Sequence, residues 1–244
     1  MFPLGDDNPT RSFAWVTVLI IVACTGVWVL VQGAGLDPDS LQRSVCALGA
    51  IPAEVTGSAS AGAGCGRGGL TWQALFTSMF LHGGWFHLVG NMWFLWVFGN
   101  NIEDAMGPGR FVIFYLVSGT LAALAHVLTD PTSTLPMVGA SGAISGIMGA
   151  YLVLYPRARV HTLFFFLIFF RVIPLPAWVI LGYWFVLQLL SSGSGAGAGV
   201  AYAAHVGGFL AGILLVGLFV RRRPRSAGGE VVGVAAGEPR DRGW

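Results

Sequence analysis

Apolar residues run along this chain in long blocks, and polar residues collect in the gaps between them. The blocks fall at about 13–32, 84–100, 111–128, 141–155, 175–191 and 200–220. Each approaches the ~20 residues that a helix needs to cross the ~30 Å hydrocarbon core of a bilayer. The pattern predicts an all-α, polytopic membrane protein with six transmembrane helices in one bundle over 13–220. The first block is too long for the apolar region of a signal peptide and lacks a small-residue cleavage site, so it reads as a retained helix.

The gaps are punctuated by breakers. Residues 1–12 form a polar lead with Pro3 and Pro9. A long outer loop covers 33–80; its glycine- and serine-rich middle, 57–64, is expected to be flexible, and 70–81 to hold short interfacial helices. Trp72 and Trp85 suit an interface position. Residues 103–110 read as a compact turn. Pro131 and Pro136 mark the loop at 129–138, and Pro156 closes the fourth helix. The phenylalanine-rich piece at 163–170 is too short to span, which leaves an interfacial segment or a hairpin. Residues 221–244 read as a basic, disordered tail.

Composition narrows the class. Charged residues make up 10% of the chain, against ~25% in soluble domains, and mean hydropathy is +0.73. All 13 basic residues are arginine. They form no stripe suited to nucleic acid, but they do report orientation. With six spans and both termini inside, eleven arginines lie on the inner face and two, Arg43 and Arg67, outside. That asymmetry places both termini in the cytoplasm of a membrane such as the bacterial plasma membrane. Cys24 lies in the first block as a small packing residue. Cys46 and Cys65 flank the polar stretch of the outer loop, where a disulfide can form if the loop meets an oxidising compartment.

The candidate chemistry begins at Gly139-Ala140-Ser141-Gly142. If a helix starts near Ser141, its free N–H groups and positive dipole end lie beside the hydroxyl, placed to hold an oxyanion. On the six-span topology, Ser141, His87, Asn91 and His205 all fall within about 12 Å of the outer edge of the apolar core. Polar groups at one depth on three helices are costly, and they often mark a function. Gly142 with Gly146, and Gly208 with Gly212, form small-residue faces that let two helix backbones approach closely. A neutral imidazole within reach of the serine can take its proton during attack and return it to a leaving amine. The second, fourth and sixth blocks contain no carboxylate, so the expected unit is a Ser141–His205 dyad. His87 and Asn91, four residues apart, share one helix face and can both donate toward an oxyanion. His82-Gly83-Gly84-Trp85-Phe86-His87 lacks the His-Glu-x-x-His arrangement of a zinc protease, so no metal is expected.

Taken together, His82-x4-His87-x3-Asn91, Gly139-Ala140-Ser141-Gly142 and Ala204-His205-x2-Gly208-x3-Gly212, in that order, resemble the rhomboid intramembrane serine proteases over about 70–220. The resemblance implies a six-helix rhomboid bundle with a Ser141 nucleophile and a His205 general base. It implies an oxyanion site from His87, Asn91 and the Ser141 N–H, with support from Gly139, Gly142, His82 and Gly208. The implied activity is endopeptidase cleavage of transmembrane protein substrates in the lipid bilayer, near the outer face and without a cofactor. Two positions depart from the family pattern. Ser145 stands where many members carry an aromatic that stacks on the histidine, and Trp72-Gln73 replaces a common Trp-Arg pair. The other readings are a non-catalytic rhomboid-like protein that binds transmembrane helices, and a small transporter. The residues retained at 141 and 205 speak against the first, and the lack of an internal repeat against the second.

Overall fold

A computed structural model describes residues 1–58, 65, 72–166, 169–194 and 200–221. Six helices of 14 to 22 residues carry the fold: α1 (Trp15–Leu30), α5 (Trp85–Met106), α6 (Pro108–Thr129), α7 (Ser141–Leu154), α8 (Ala177–Ser194) and α9 (Tyr202–Phe219). Three shorter ones, α2 (Pro38–Leu48), α3 (Pro52–Val55) and α4 (Ala74–Thr77), lie in the outer loop. Most of the expected flexible stretch at 57–64, and all of the tail but Arg221, lie outside the described residues. By length and hydropathy alone two helices qualify as spans, α6 and α9, with mean hydropathies of 2.0 and 1.8. α5 is long enough, but Asn91, Asn100, Asn101, Glu103 and Asp104 lower its hydropathy. α1 and α7 are apolar but short.

Helix α7 is the axis of the bundle. Every residue from Gly142 to Tyr151 is buried, and α5, α6, α8 and α9 pack around it. Where lipid is as apolar as the side chains, helices associate through close van der Waals contact, and small residues make that possible. A Cβ on Gly208 would collide with the Gly142 carbonyl, and one on Gly212 with the Gly146 carbonyl. These glycines set the distance between α7 and α9. Larger side chains, among them Phe98, Phe111, Phe114 and Ile147, fill the remaining core.

Three features differ from the sequence expectation. The fold is mostly helical but not all-α: β1 (Phe2–Asp6), β2 (Arg159–Phe166) and β3 (Phe169–Pro176) form an antiparallel sheet in the order β1-β2-β3. The phenylalanine-rich piece takes the hairpin form of the two expected, and its aromatic and β-branched residues suit strands. Pro174 and Pro176 sit in β3, so the helix expected from about 175 starts at Ala177. The polar lead at 1–12 supplies an edge strand to this hairpin. Second, α5 continues to Met106, and the turn shrinks to Gly107, with φ of 79°, ahead of Pro108 at the first position of α6. The extension is possible because the Glu103 carboxylate caps α1, accepting from the N–H groups of Val16 (2.9 Å) and Thr17 (2.7 Å) and from the Thr17 hydroxyl (2.9 Å). Third, the outer loop contains α2, opened by Asp37, whose side chain accepts from the N–H groups of Asp39 and Ser40, with Pro38 in the first turn. Asp-Pro-Asp-Ser is a helix start by composition. Cys46 of α2 is disulfide-bonded to Cys65.

Candidate active site

Ser141 is the first residue of α7, so its own N–H and those of Gly142 and Ala143 have no carbonyl one turn back. The approach to it is tightly held. Met137 pairs with Ala50 of the outer loop through two backbone hydrogen bonds of 2.8 and 3.0 Å, and the Gly139 N–H donates to the Ser78 carbonyl at 2.9 Å. Gly139 has φ of 128°, which side chains rarely adopt, and a Cβ there would stand 2.7 Å from His87 Nε2. Glycine is required at 139 for both reasons.

The α7–α9 contact brings His205 to the serine. Its Nε2 lies 2.8 Å from Ser141 Oγ. On the other side of the ring, Nδ1 lies 2.8 Å from the side-chain oxygen of Gln188 in α8. Trp184, one turn before Gln188, packs over the imidazole with ring centroids 5.9 Å apart and planes inclined by 37°. Tyr202 meets its edge at 6.3 Å. Ser145, at the position expected to carry an aromatic, turns away and donates to the Ser141 carbonyl at 2.7 Å. The ring is thus held from α8 instead of from α7.

Asn91 and His87 form the opposite wall. Asn91 is 8% exposed, and its Nδ2 is buried with no hydrogen-bond partner among the described residues. His87 Nδ1 accepts from the Gly83 N–H at 3.3 Å, which leaves the proton on Nε2, the nitrogen facing Gly139. His82 stands edge-on to His87, centroids 5.2 Å apart. Burial, with the neighbouring His87 adding to it, pushes the His82 pKa down to about 3, so the ring is neutral. Its backbone is clamped by the buried Gln32, which donates to the His82 carbonyl at 2.7 Å and accepts its N–H at 2.9 Å. A cavity of about 860 Å³ opens over these groups, lined by His87, Asn91, Gly139, Ser141, Trp184 and His205.

The predicted site residues Ser141, His205, His87, Asn91, Gly139, Gly142 and Gly208 therefore meet at one place, with His82 directly behind. His126 also lines the cavity. His161 lies elsewhere, on β2 with Nε2 2.6 Å from Asp7. Sequence reasoning missed Gln188 and Trp184. The signal was available: Gln188 is the one amide or charged side chain between 177 and 190, and a lone polar residue in an apolar helix calls for a partner. Among the described residues, no group of three His, Cys, Asp or Glu is placed to hold a metal ion.

A Ser–His pair on packed helices inside a largely apolar chain defines the class, and comparison with known proteins names it. The model of the Rhomboid domain matches residues 69–222, and the chain belongs to the rhomboid family, whose members are multi-pass membrane proteins. It is 31% identical over 152 residues to "Rhomboid protein 1, mitochondrial" of Saccharomyces cerevisiae, covering 58% of this chain and 40% of that protein. It is 41% identical over 81 residues to "Rhomboid protease GluP" of Bacillus subtilis, covering 33% and 15%. A third similar protein, "Inactive RHOMBOID-like protein 8" of Arabidopsis thaliana, is 35% identical over 94 residues, covering 35% and 26%. The chain spans well under half the length of each of these relatives.

Proposed function

We propose that this protein is an intramembrane serine endopeptidase that hydrolyses peptide bonds in or near the transmembrane segments of membrane-protein substrates. The observation that carries the reading is the 2.8 Å approach of His205 Nε2 to Ser141 Oγ, inside a cavity whose far wall presents an unpartnered amide donor. The hydroxyl donates to the imidazole, so attack on a substrate carbonyl passes the serine proton to Nε2. Charge develops on the carbonyl oxygen, where the Ser141 N–H, Asn91 Nδ2 and His87 Nε2–H converge as donors and the α7 dipole adds to them. The leaving amine takes the proton from His205, giving an acyl-enzyme. Water, deprotonated by the same nitrogen, then releases the second product. No cofactor enters these steps. Turnover should rise with pH as His205 gives up its proton.

The six-span topology is part of the proposal. A 14-residue helix rises about 21 Å, less than the ~30 Å apolar core. With its inner end level with the others, α7 starts below the outer surface, and the 130–140 segment descends to meet it. Irregular backbone at that depth is tolerated where it lines a water-filled cavity. Both termini then lie in the cytoplasm of the host membrane.

The inactive relative favours one other reading, a protein that binds transmembrane helices without cutting them. The two are separated by a fluorophosphonate probe. Covalent labelling of the parent, lost in Ser141→Ala and strongly reduced in His205→Ala, supports the protease. A folded parent that neither labels nor cleaves a transmembrane reporter supports the binding protein.

A further inference from the structure

The sequence predicts a two-residue unit, yet His205 has a second hydrogen-bond partner besides Ser141. Gln188 and Trp184 are four residues apart and so share one face of α8. That face is turned to the histidine: the indole packs over the ring, and the amide oxygen lies 2.8 Å from Nδ1. We propose that Gln188 is the positioning residue of the catalytic histidine, setting its tautomer and ring angle; the proposal rests on the function proposed above.

The argument is one of proton placement. An amide oxygen is an acceptor, so the group it faces on Nδ1 must be an N–H. A neutral imidazole carries one ring proton, so with Nδ1 protonated Nε2 is a bare lone pair, the form needed to receive the Ser141 proton. The opposite tautomer would aim an N–H at the hydroxyl oxygen and could accept nothing. As Nε2 takes the serine proton the ring becomes a cation, and the hydrogen bond from Nδ1–H to the amide dipole strengthens with no movement. A carboxylate in this role would have to sit as a bare charge in an apolar helix. An amide supplies the acceptor without that cost. The arrangement also accounts for Ser145: with Trp184 and Gln188 holding the ring from α8, an aromatic on α7 is not needed. The other titratable groups lining the cavity are His87 from α5, His126 from α6 and Asp130 just beyond α6. Nδ1 itself is occupied by Gln188.

The test compares the full-length parent with Gln188→Leu, Gln188→Glu and Ser141→Ala. It follows cleavage of a transmembrane reporter against pH and records the 15N spectrum of ring-labelled His205 in each. Gln188→Leu should lower kcat about 10–100-fold, part of the 10²–10⁴ that a well-placed base supplies, with KM little changed. Its His205 signals should move toward the Nε2–H tautomer. Gln188→Glu keeps an acceptor and should retain the Nδ1–H tautomer and much of the activity. The new negative charge should move the acidic limb of its kcat profile up by about one pH unit or more. If Gln188→Leu turns over like the parent, with the same tautomer, while Ser141→Ala is inactive, the positioning role is wrong and the protease reading stands. If Gln188→Leu does not fold, Gln188→Glu decides, and a pH profile superimposable on the parent's overturns the role. Undiminished cleavage by Ser141→Ala would overturn both.

Discussion

The molecule buries two polar clusters at opposite ends of its helices, and they are built on opposite rules. At the end where α1 begins and α5 finishes, the carboxylates are bonded. Glu103 receives three hydrogen bonds from the start of α1, and Asp6 receives the Tyr151 hydroxyl and, at 2.9 Å, the Asn101 amide. At the other end, where α7 begins, a donor is left open. Asn91 Nδ2 is buried without a partner, the N–H groups of the first turn of α7 have no carbonyl one turn back, and the cavity runs past both. A satisfied cluster ties elements together; an open donor beside a cavity is free to meet a further group, and the proposed reaction supplies one. Asparagine occurs in both: Asn101 is bonded to Asp6 at one end, and Asn91 Nδ2 is open at the other.

Substitutions that separate activity from stability would break or sharpen that contrast. The largest effect is expected at the Ser141–His205 end: Ser141→Ala and His205→Ala should each reduce cleavage by about 10³-fold or more, because the proposed nucleophile and base would act as one unit. Thermal unfolding in detergent should show both variants within about 1 kcal/mol of the parent. Asn91→Ala removes one oxyanion donor of three and should cost about 10²–10³ in kcat with KM little affected. A stability loss in place of a kcat loss would move Asn91 to the structural side of the comparison.

The Glu103 and Asp6 cluster should answer in the reverse sense. Glu103→Ala leaves the Val16 and Thr17 N–H groups unpaired where α1 begins, and should cost about 2–4 kcal/mol of stability, while the fraction that stays folded cleaves at the parental rate. Reducing the Cys46–Cys65 bond, which closes a loop of sequence separation 19, should cost about 3 kcal/mol on the chain-entropy model. Melting curves with and without reductant measure it. The smallest effect is a slope. Burial raises the Asp6 pKa above its ordinary value, against hydrogen bonds that lower it. The folded state therefore holds that proton more tightly than the unfolded chain, which gives stability at low pH that is lost as pH rises through the folded value. Asp6→Asn should remove this part of the pH dependence of melting; an unchanged slope would show that Asp6 does not titrate differently on folding.

Much of this was legible before any coordinates. The apolar blocks, the glycine pairs at 142/146 and 208/212, and the meeting of Ser141, His87, Asn91 and His205 follow from period, length and composition, because helix geometry converts sequence number into height and face. Helix α2 carried a local start signal at Asp37 and Pro38 that the reading of the loop did not use. Other features were not legible, because they depend on pairings between distant segments. The cap of α1 comes from Glu103, 86 residues from Thr17, and nothing near Ala14 announces it. The strand Phe2–Asp6 exists only because the hairpin at 159–176 offers it an edge. Gln188 could be flagged as a polar residue in an apolar run, but its partner could not be named. The amino-acid sequence determined which helices form, which faces are small enough to touch, and which residues can carry acid–base chemistry. Tertiary structure decided which nitrogen of His205 meets Ser141 and which meets Gln188, because a hydrogen bond depends on the rotation of helices about one another, and that rotation is set by packing across the whole bundle.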